Sequence, residues 1–567
     1  MGLRIAACIG WLSVAAAPLL MGACSSDMTG GNHSTGTTGG TTSVGGGGTT
    51  SVGGSVTAQT CTDGVALANA RIWRLSDDQY VNAVRQLFGV TAGPHITQVE
   101  AVAEFTNLSE LSPVSNNTVA SYQTAAKDIA RQAVTSHFDK FMACGTTDSC
   151  VQQFVRNRVA RAFGRRLDDT EVAGYVDLYH QGLTESPQTG VRLMIEATLQ
   201  SPSFLYRTEL GTPTPGGGKG QVSLTPHEIA TLLAFSLTNS VPDEELWQKA
   251  DTGEIASPDV YNQEVERLLE LPETKTNLTQ LAGYWLGIEK LKLTEKDTSP
   301  GKFPEFTPAL KADMTLSAQL FVQDLLTSGT VTDLVTSSKM FLNESMAAAF
   351  GIPGVTGTDM KPVQVAAPER HNGILSQPGV LAAYSRPTRG DPIHRGLFSF
   401  YGLACGGQVP APPPNALAIA ATFPPDATER ELAGLRASNG MCLPCHARFD
   451  PLGLITERFD PIGRYHETDA KGPIDQSSVL ATLGTDLDGP VDGVAAFTAK
   501  LVQGRRLSDC AAQNLAVFTL GRDAVDVKAD TSCALQSVKD NFAKTGKFRD
   551  FYKALITNPG FLKRDVQ

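Results

Sequence analysis

One helix-start pattern occurs three times in this chain, and it constrains the fold more than any other feature. In the first copy, at 75–80, Ser76 and Gln79 stand three residues apart between two apolar residues. This is a capping box, in which the N-cap side chain and the third helical side chain each bond the other residue's backbone. The layout recurs at 167–172 and 224–229, and apolar residues at helical spacing fill longer stretches, at 151–163, 191–207, 260–290, 309–327 and 509–520. The sequence therefore predicts a mainly α-helical fold.

Length and charge narrow the class of protein. The chain has 567 residues, which is more than one hydrophobic core usually organises, so we expect several domains. With 41% hydrophobic residues and its long apolar run confined to the start, the body is expected to be soluble and globular. The formal net charge of -11 argues against nucleic acid as a partner, because nucleic acids select basic surfaces.

The first 23 residues have the layout of a bacterial export signal. Arg4 is followed by an apolar stretch and then by small residues before Cys24. The segment 20–24 resembles a lipobox, so we expect 1–23 to be a lipoprotein signal peptide and Cys24 to carry the lipid; the alternative is an ordinary cleaved signal. Residues 24–60, rich in Gly, Ser and Thr, would form a flexible tether. These features predict a lipid-anchored protein of the cell envelope, periplasmic or surface-facing, in the outer membrane where the source has one.

Residues 442–446 carry the most specific chemistry in the chain. Cys442 and Cys445 stand one helical turn apart and His446 follows directly, which is the attachment signature of a c-type haem. Two thiols at this spacing reach the porphyrin vinyl groups, and the histidine supplies the proximal nitrogen to iron. The alternatives are a thioredoxin-like dithiol, and a structural disulfide or adventitious metal site. The cofactor prediction is one covalent haem c on Cys442 and Cys445, with His446 as iron ligand.

Two features downstream of the motif bear on its surroundings. No methionine follows Met441, so His466 is a candidate for the distal iron ligand, with an ordinary surface histidine as the alternative. More distant candidates come from the preceding domain: His394, Met340, Met346 and Met360. Asp450 and Asp460 each precede a proline. That pair is typical of a helix start, where the aspartate caps and the proline's missing N–H does no harm. We therefore expect both aspartates to be structural N-caps.

The remaining cysteines are expected to form disulfides, as exported proteins commonly do. Spacing favours a pair between Cys144 and Cys150, which would close a small loop, and a pair between Cys510 and Cys533. Cys61 and Cys405 are then left and would pair across domains, although spacing alone does not fix their connectivity.

Several short stretches are informative by their order along the chain. They are Trp73-x-Leu75-x-x-x-Gln79-Tyr80, Leu199-Gln200-Ser201-Pro202, Pro242-Asp243-x-x-Leu246, His394-Arg395-Gly396, the motif at 442–446, and Leu520-Gly521-Arg522. In this order they resemble the planctomycete-type secreted cytochrome-like proteins, which string together small helical domains of unknown function and one Cys-x-x-Cys-His module. The resemblance covers nearly the whole body. It implies export, a helical build and a c-type haem.

Composition and resemblance together divide the chain into parts. Proline and glycine interrupt the helical pattern near 211–220 and at 410–414. The predicted parts are the signal peptide 1–23, the tether 24–60, an N-terminal helical domain 61–145, helical domains 146–212 and 221–355, a cytochrome-like c-type haem module 365–475, and a C-terminal helical domain 485–567.

The function expected from these features is electron transfer at the cell envelope, with a redox partner that the sequence does not name. The chain would be held at the membrane by its lipid anchor and would not bind nucleic acid. One alternative is a non-catalytic scaffold or binding lipoprotein whose haem motif is vestigial. Another is a haem-dependent oxidoreductase, so the question of enzymatic activity stays open.

Overall fold

The computed structural model describes residues 66–93, 116–213, 220–365, 372–469, 471–522, 527 and 532–566. These residues all belong to one compact unit. The predicted signal peptide and tether, together with Cys24 and Cys61, lie outside the described residues. Within the described ranges, no helix combines the length and the apolar character that a membrane crossing requires.

Helices dominate the described chain and confirm the predicted mainly α-helical fold. The first part contains α1 Asp77–Phe88, α2 Asn116–Phe141, α3 Asp148–Phe154, α4 Ala160–Phe163, α5 Asp169–Leu183, α6 Pro187–Gln200 and α7 Pro202–Leu205. The middle contains α8 Pro226–Leu237, α9 Glu244–Asp251, α10 Pro258–Glu270, α11 Pro272–Trp285, α12 Pro308–Ser328, α13 Asp333–Thr336 and α14 Glu344–Ala349. The last part contains α15 Pro378–Ala383, α16 Pro392–Leu397, α17 Ala416–Ala420, α18 Glu429–Ser438, α19 Leu443–Leu454, α20 Gly493–Leu501, α21 Arg506–Leu520, α22 Cys533–Thr545 and α23 Phe548–Ile556. Shorter 3-10 and π-helical turns link them, at Val155–Val159, Glu254–Ala256, Ile288–Leu293, Gly373–Ser376, Phe398–Leu403 and Pro559–Leu562.

All three predicted capping boxes are present and begin the helices that the sequence indicated. At α1 the Ser76 hydroxyl accepts from the Gln79 backbone N–H at 3.2 Å, and the Gln79 side chain accepts from the Ser76 N–H at 3.1 Å. Asp168 starts α5 and Thr225 starts α8 with the same reciprocal bonds. The pattern was predictable because every participant lies within four residues.

Short strands tie distant parts of the chain together. They are β1 Ala68–Asn69, β2 Arg71–Arg74, β3 Tyr206–Glu209, β4 Thr212–Pro213, β5 Gln221–Ser223, β6 Lys339–Leu342, β7 Lys361–Gln364, β8 Thr468–Asp469, β9 Gly472–Pro473, β10 Ser477–Leu480, β11 Gly489–Asp492 and β12 Lys563–Asp565. The order of the largest sheet is β1-β12-β5-β4, with β1 and β12 parallel and the other pairs antiparallel. β2 pairs antiparallel with β3, so both ends of the described body meet its middle in sheets.

The described residues form three apolar clusters. One holds α1 to α6 together, so residues of the predicted domains 61–145 and 146–212 share a core. A second and larger one includes Leu67 and extends from Leu224, just before α8, to Phe561 in the last 3-10 turn, with Cys445 packed against it. A third, smaller cluster includes Met314, Met340 and Met346 and packs around the β6–β7 hairpin. The segments that follow α8 are therefore joined by burial and not only by sequence order.

The disulfides confirm one predicted pair and contradict the other two. Cys144 and Cys150 are bonded, with their Cα atoms 5.8 Å apart. The predicted bond between Cys510 and Cys533 is wrong, because Cys510 is bonded to Cys405, 105 residues earlier in the chain. That bond also rules out the pair between Cys61 and Cys405. Cys533 is itself disulfide-bonded. The prediction failed because the π-helical turn ending at Leu403 packs on α21, a contact between distant segments that spacing does not reveal.

A buried carboxylate joins β2, β3 and β12. Glu209 accepts from Arg71 at 3.0 Å and from Arg564 at 2.7 Å, and the side chains of Glu209 and Arg564 are each only 2% exposed. The guanidinium of Arg207 lies 4.0 Å from the ring centroid of Trp73 on the paired strand. Burial alone would raise the pKa of Glu209, but the arginines Arg71, Arg564 and Arg207 outweigh it and lower the pKa to about 2.

We predict that Glu209→Gln lowers the free energy of unfolding by about 3–5 kcal/mol at neutral pH, because it leaves two buried guanidinium groups without their anion. Glu209's folded pKa lies below its ordinary value of 4.5. Its contribution is therefore fully present above that value and is lost as the pH falls toward 2. Urea unfolding of wild type and variant between about pH 7 and pH 3 measures the difference, which should shrink at the acid end.

The matched control is Glu254→Gln, since Glu254 is exposed and starts a short 3-10 turn. Its unfolding midpoint should stay close to that of the wild type at every pH. Equal effects of the two substitutions would show that Glu209 does not hold the strands together.

Candidate functional site

The Cys-x-x-Cys-His motif forms the first turn of α19. Cys442 occupies the N-cap position, and its carbonyl accepts from the N–H groups of Cys445 at 3.2 Å and His446 at 3.0 Å. Both cysteines are free thiols and half-buried. The other cysteines within the described ranges are all disulfide-bonded. Because Cys442 and Cys445 are one helical turn apart, their thiols lie as neighbours on one face of the helix.

His446 is held by a buried carboxylate. Its Nδ1 lies 2.9 Å from Asp450 Oδ1, one helical turn further along α19. The other carboxylate oxygen of Asp450 accepts from Arg436 Nε at 2.7 Å, and the side chains of Arg436 and Asp450 are 8% and 6% exposed. The ring of Phe449 packs edge-on against the imidazole, with centroids 5.0 Å apart. Nδ1 is thus engaged by the protein, and within the described part of the chain no hydrogen bond to Nε2 is formed.

The predicted N-cap role of Asp450 is wrong. Asp450 and Pro451 lie inside α19, which begins at Leu443 and ends at Leu454. Pro451 lacks the N–H that would bond the carbonyl of Ala447, but the helix continues through it because its apolar face is buried against the core. Asp460 is likewise no helix cap, since its side chain accepts from the N–H groups of Ile462 and Arg464 in a tight turn.

Sequence reasoning missed both Asp450 and Arg436 as parts of the site. The signal for Asp450 was its position four residues after His446, which places the two on one face of any helix that the motif starts. Arg436 comes from α18, which is started by a fourth capping box between Thr428 and Glu431. Local patterns therefore indicated each helix, whereas the contact between them depends on how α18 packs on α19.

Helices α16 and α19 pack at backbone contact, and this fixes the motif helix. A Cβ atom added to Gly453 would lie 1.8 Å from the carbonyl oxygen of Pro392, and one added to Gly396 would lie 2.0 Å from that of Phe449. Next to Gly396 in the chain, the buried Arg395 donates to the carbonyls of Phe459 and Asp460, each at 2.7 Å. The guanidinium thereby satisfies backbone acceptors just beyond the end of α19.

The other side of the motif faces solvent and is apolar. Leu417, Met441 and Leu443 are 80%, 48% and 43% exposed. The proline-rich segment lies alongside, with Cys445 Sγ 3.5 Å from the carbonyl oxygen of Pro410. Asn415 contacts the Met441 sulfur at 3.9 Å. These residues fit a covalent haem, because two free thiols, an imidazole fixed by its Nδ1 and the exposed apolar side chains of Met441 and Leu443 lie within one short segment.

The structure places His466 on the surface beside Asp460. Its Nε2 lies 3.3 Å from Asp460 Oδ2, and its side chain is 45% exposed. Asp460 also accepts from Arg464 at 2.7 Å. Across the described ranges, no cluster of three or more His, Cys, Asp or Glu side chains is arranged to hold a metal ion. The distal role of His466 stays a prediction.

Two ionisable groups close to Arg395 have shifted pKa values. Burial raises the pKa of Glu457 to about 7, although Arg395 opposes the shift and Glu429 adds to it. Burial also lowers the pKa of Lys296 to about 7, and Arg395 contributes to that shift. The Lys296 ammonium donates to three carbonyls, those of Ala382, Ser385 and Arg386. The Lys296 bonds thereby hold the end of α15 and the loop before α16 in place.

The fold and the motif define a mainly α-helical, multidomain protein. Comparison with protein families then assigns the chain to a family. Four family models match in tandem: PSD3, a protein of unknown function (DUF1587), at 73–135; PSD5 (DUF1595) at 150–209; PSD4 (DUF1592) at 224–352; and PSCyt3 (DUF1588) at 371–469. The chain therefore belongs to the planctomycete-type cytochrome-like proteins, as the sequence suggested. No curated protein and no solved structure matches it.

We predict that Gly453→Ala destabilises the protein by at least about 1–3 kcal/mol, because the new methyl group must displace the backbone of α16. The matched control is Gly434→Ala on the exposed face of α18, where an added Cβ meets nothing within 4 Å. Alanine there should be neutral or stabilising by up to ~1 kcal/mol, since glycine is a poor helix former. Thermal unfolding of the two variants compares them, and equal midpoints would contradict close packing of α16 on α19.

Proposed function

We propose that this protein is an exported, lipid-anchored cytochrome-like protein that carries one covalent c-type haem and transfers electrons at the cell envelope. Cys442 and Cys445 would hold the porphyrin through thioethers, and His446 would bind iron through Nε2. When bound, the haem supplies a one-electron iron couple. The single observation that carries the proposal is the pair of free thiols beside an imidazole whose other nitrogen is fixed by Asp450.

The surroundings of the motif favour thioether attachment over the two alternatives. A thioredoxin-like dithiol needs a strand before its helix, whereas α19 follows the helix α18. A structural disulfide would join Cys442 to Cys445, whereas both are free while five other described cysteines, at 144, 150, 405, 510 and 533, are oxidised. The membership of residues 371–469 in the PSCyt3 family supports the same reading.

The position of the motif supports electron transfer. The thiols and the exposed apolar side chains of Leu417, Met441 and Leu443 lie at the surface, where a redox partner can come close. The opposite side of α19 is buried in the large core. An export signal with lipidation at Cys24 and a tether over 24–60 would place this surface outside the cytoplasm, where c-type haem is attached.

We predict a c-type pyridine haemochrome band for the protein produced in a periplasm that has haem-attachment machinery. The band should survive acid–acetone extraction, because thioethers hold the group covalently. Cys442→Ala/Cys445→Ala should lose the extraction-resistant band. The control is Cys144→Ser/Cys150→Ser, which also removes two cysteines. The disulfide that it removes closes only a small loop, far from the motif along the chain.

Three outcomes decide between the candidates. Loss of the band in the first double variant alone supports haem attachment by Cys442 and Cys445. A colourless wild-type protein with both thiols intact would contradict the proposal and leave the scaffold alternative. A haem protein whose iron cannot be reversibly reduced would contradict electron transfer while leaving the attachment in place.

A further inference from the structure

The Asp450 carboxylate has a second consequence for the site, which rests on the proposed haem attachment. Asp450 Oδ1 lies 2.9 Å from His446 Nδ1, and Asp450 Oδ2 accepts from Arg436 Nε at 2.7 Å. Three side chains from two helices thus form one chain of contacts, and both Asp450 and Arg436 are buried. A buried carboxylate needs partners at both of its oxygens. Arg436 meets Oδ2, and the imidazole of His446 meets Oδ1.

We propose that Asp450 is a positioning residue that sets the tautomer of His446 and lowers the reduction potential of the haem iron. Accepting from Nδ1 keeps the proton on that nitrogen and leaves the Nε2 lone pair for iron. A carboxylate acceptor makes the imidazole a stronger electron donor than a neutral acceptor would. A stronger donor stabilises the ferric state relative to the ferrous state, so the potential falls.

Arg436 limits how far Asp450 lowers the reduction potential, and it fixes the position of the carboxylate. Its guanidinium bonds the other carboxylate oxygen and partly neutralises it, so the imidazole experiences only part of a full negative charge. Because α18 supplies Arg436 and α19 supplies the other two residues, the packing of these helices holds the acceptor at a fixed angle to the ring. The carboxylate cannot turn toward water, since its surroundings are buried.

The test compares Asp450→Asn with the wild-type holoprotein. Haem content is first measured by the haemochrome band, and the reduction potential is then measured by spectroelectrochemical titration. We expect the variant to bind haem and to shift the ferric–ferrous equilibrium about tenfold toward the ferrous form. For a one-electron couple that shift is a rise of ~59 mV. Asp450→Glu keeps a carboxylate at this position, so its reduction potential should lie close to the wild-type value.

The control is Asp475→Asn, which removes one negative charge from the same module. Asp475 is exposed and contacts Arg430, and it does not touch His446. The reduction potential of the Asp475→Asn variant should stay near the wild-type value. Equal potentials in wild type and Asp450→Asn would overturn the role of Asp450 while leaving haem attachment intact. A wild type that never acquires haem would overturn the proposed function and this inference together.

A separate measurement covers the case in which Asp450→Asn loses haem. Nitrogen NMR of the haem-free protein, with Cys442 and Cys445 replaced by alanine, reports which ring nitrogen of His446 carries the proton. We expect the proton on Nδ1 when Asp450 is present, and a mixture of the two tautomers when the same protein also carries Asp450→Asn. A mixture of the two tautomers in the haem-free protein that retains Asp450 would overturn the proposal.

Discussion

The ion cluster around Glu209 is the interaction on which the rest of the structure depends. A carboxylate 2% exposed is stable only when its charge is met, and here the partners Arg71 and Arg564 come from opposite ends of the described chain. The same strand pairing lays Arg71 and Arg207 against Trp73, whose ring also abuts Gly521 at the end of α21. A buried charge must have its partners at hydrogen-bonding distance. The cluster therefore specifies which strands pair, whereas apolar burial alone would tolerate several arrangements.

The region around the Cys-x-x-Cys-His motif is built into the same body. Trp285 of α11 donates to the carbonyl of Gly402 at 2.9 Å, and the Cys405–Cys510 disulfide links the turn before the proline-rich segment to α21. The largest apolar cluster includes Phe449 and Leu452 of α19 together with residues from α8 to α23. The motif helix is accordingly supported by segments far from it in sequence. Its orientation is a property of the whole body.

The capping boxes and the short-loop disulfide were read correctly from the sequence, and contacts between distant segments were not. The capping boxes at Ser76, Asp168 and Thr225 were predictable because their bonds span three residues. The Cys144–Cys150 pair was predictable for the same reason. Cys405 and Cys510 lie 105 residues apart, so only the packing of the intervening chain brings them together.

Asp450 shows why a correct local rule can still give a wrong role. Aspartate before proline is common at helix starts because that arrangement needs no other support. Inside a helix the same pair forfeits one backbone bond and is retained only where neighbouring packing stabilises the helix. Here the glycine contacts of α16 and the buried face of α19 provide that packing, and Arg436 meets the charge of the aspartate. The lost backbone bond belongs to Pro451, whereas the Asp450 carboxylate is engaged at both oxygens, by Arg436 and by the imidazole of the motif.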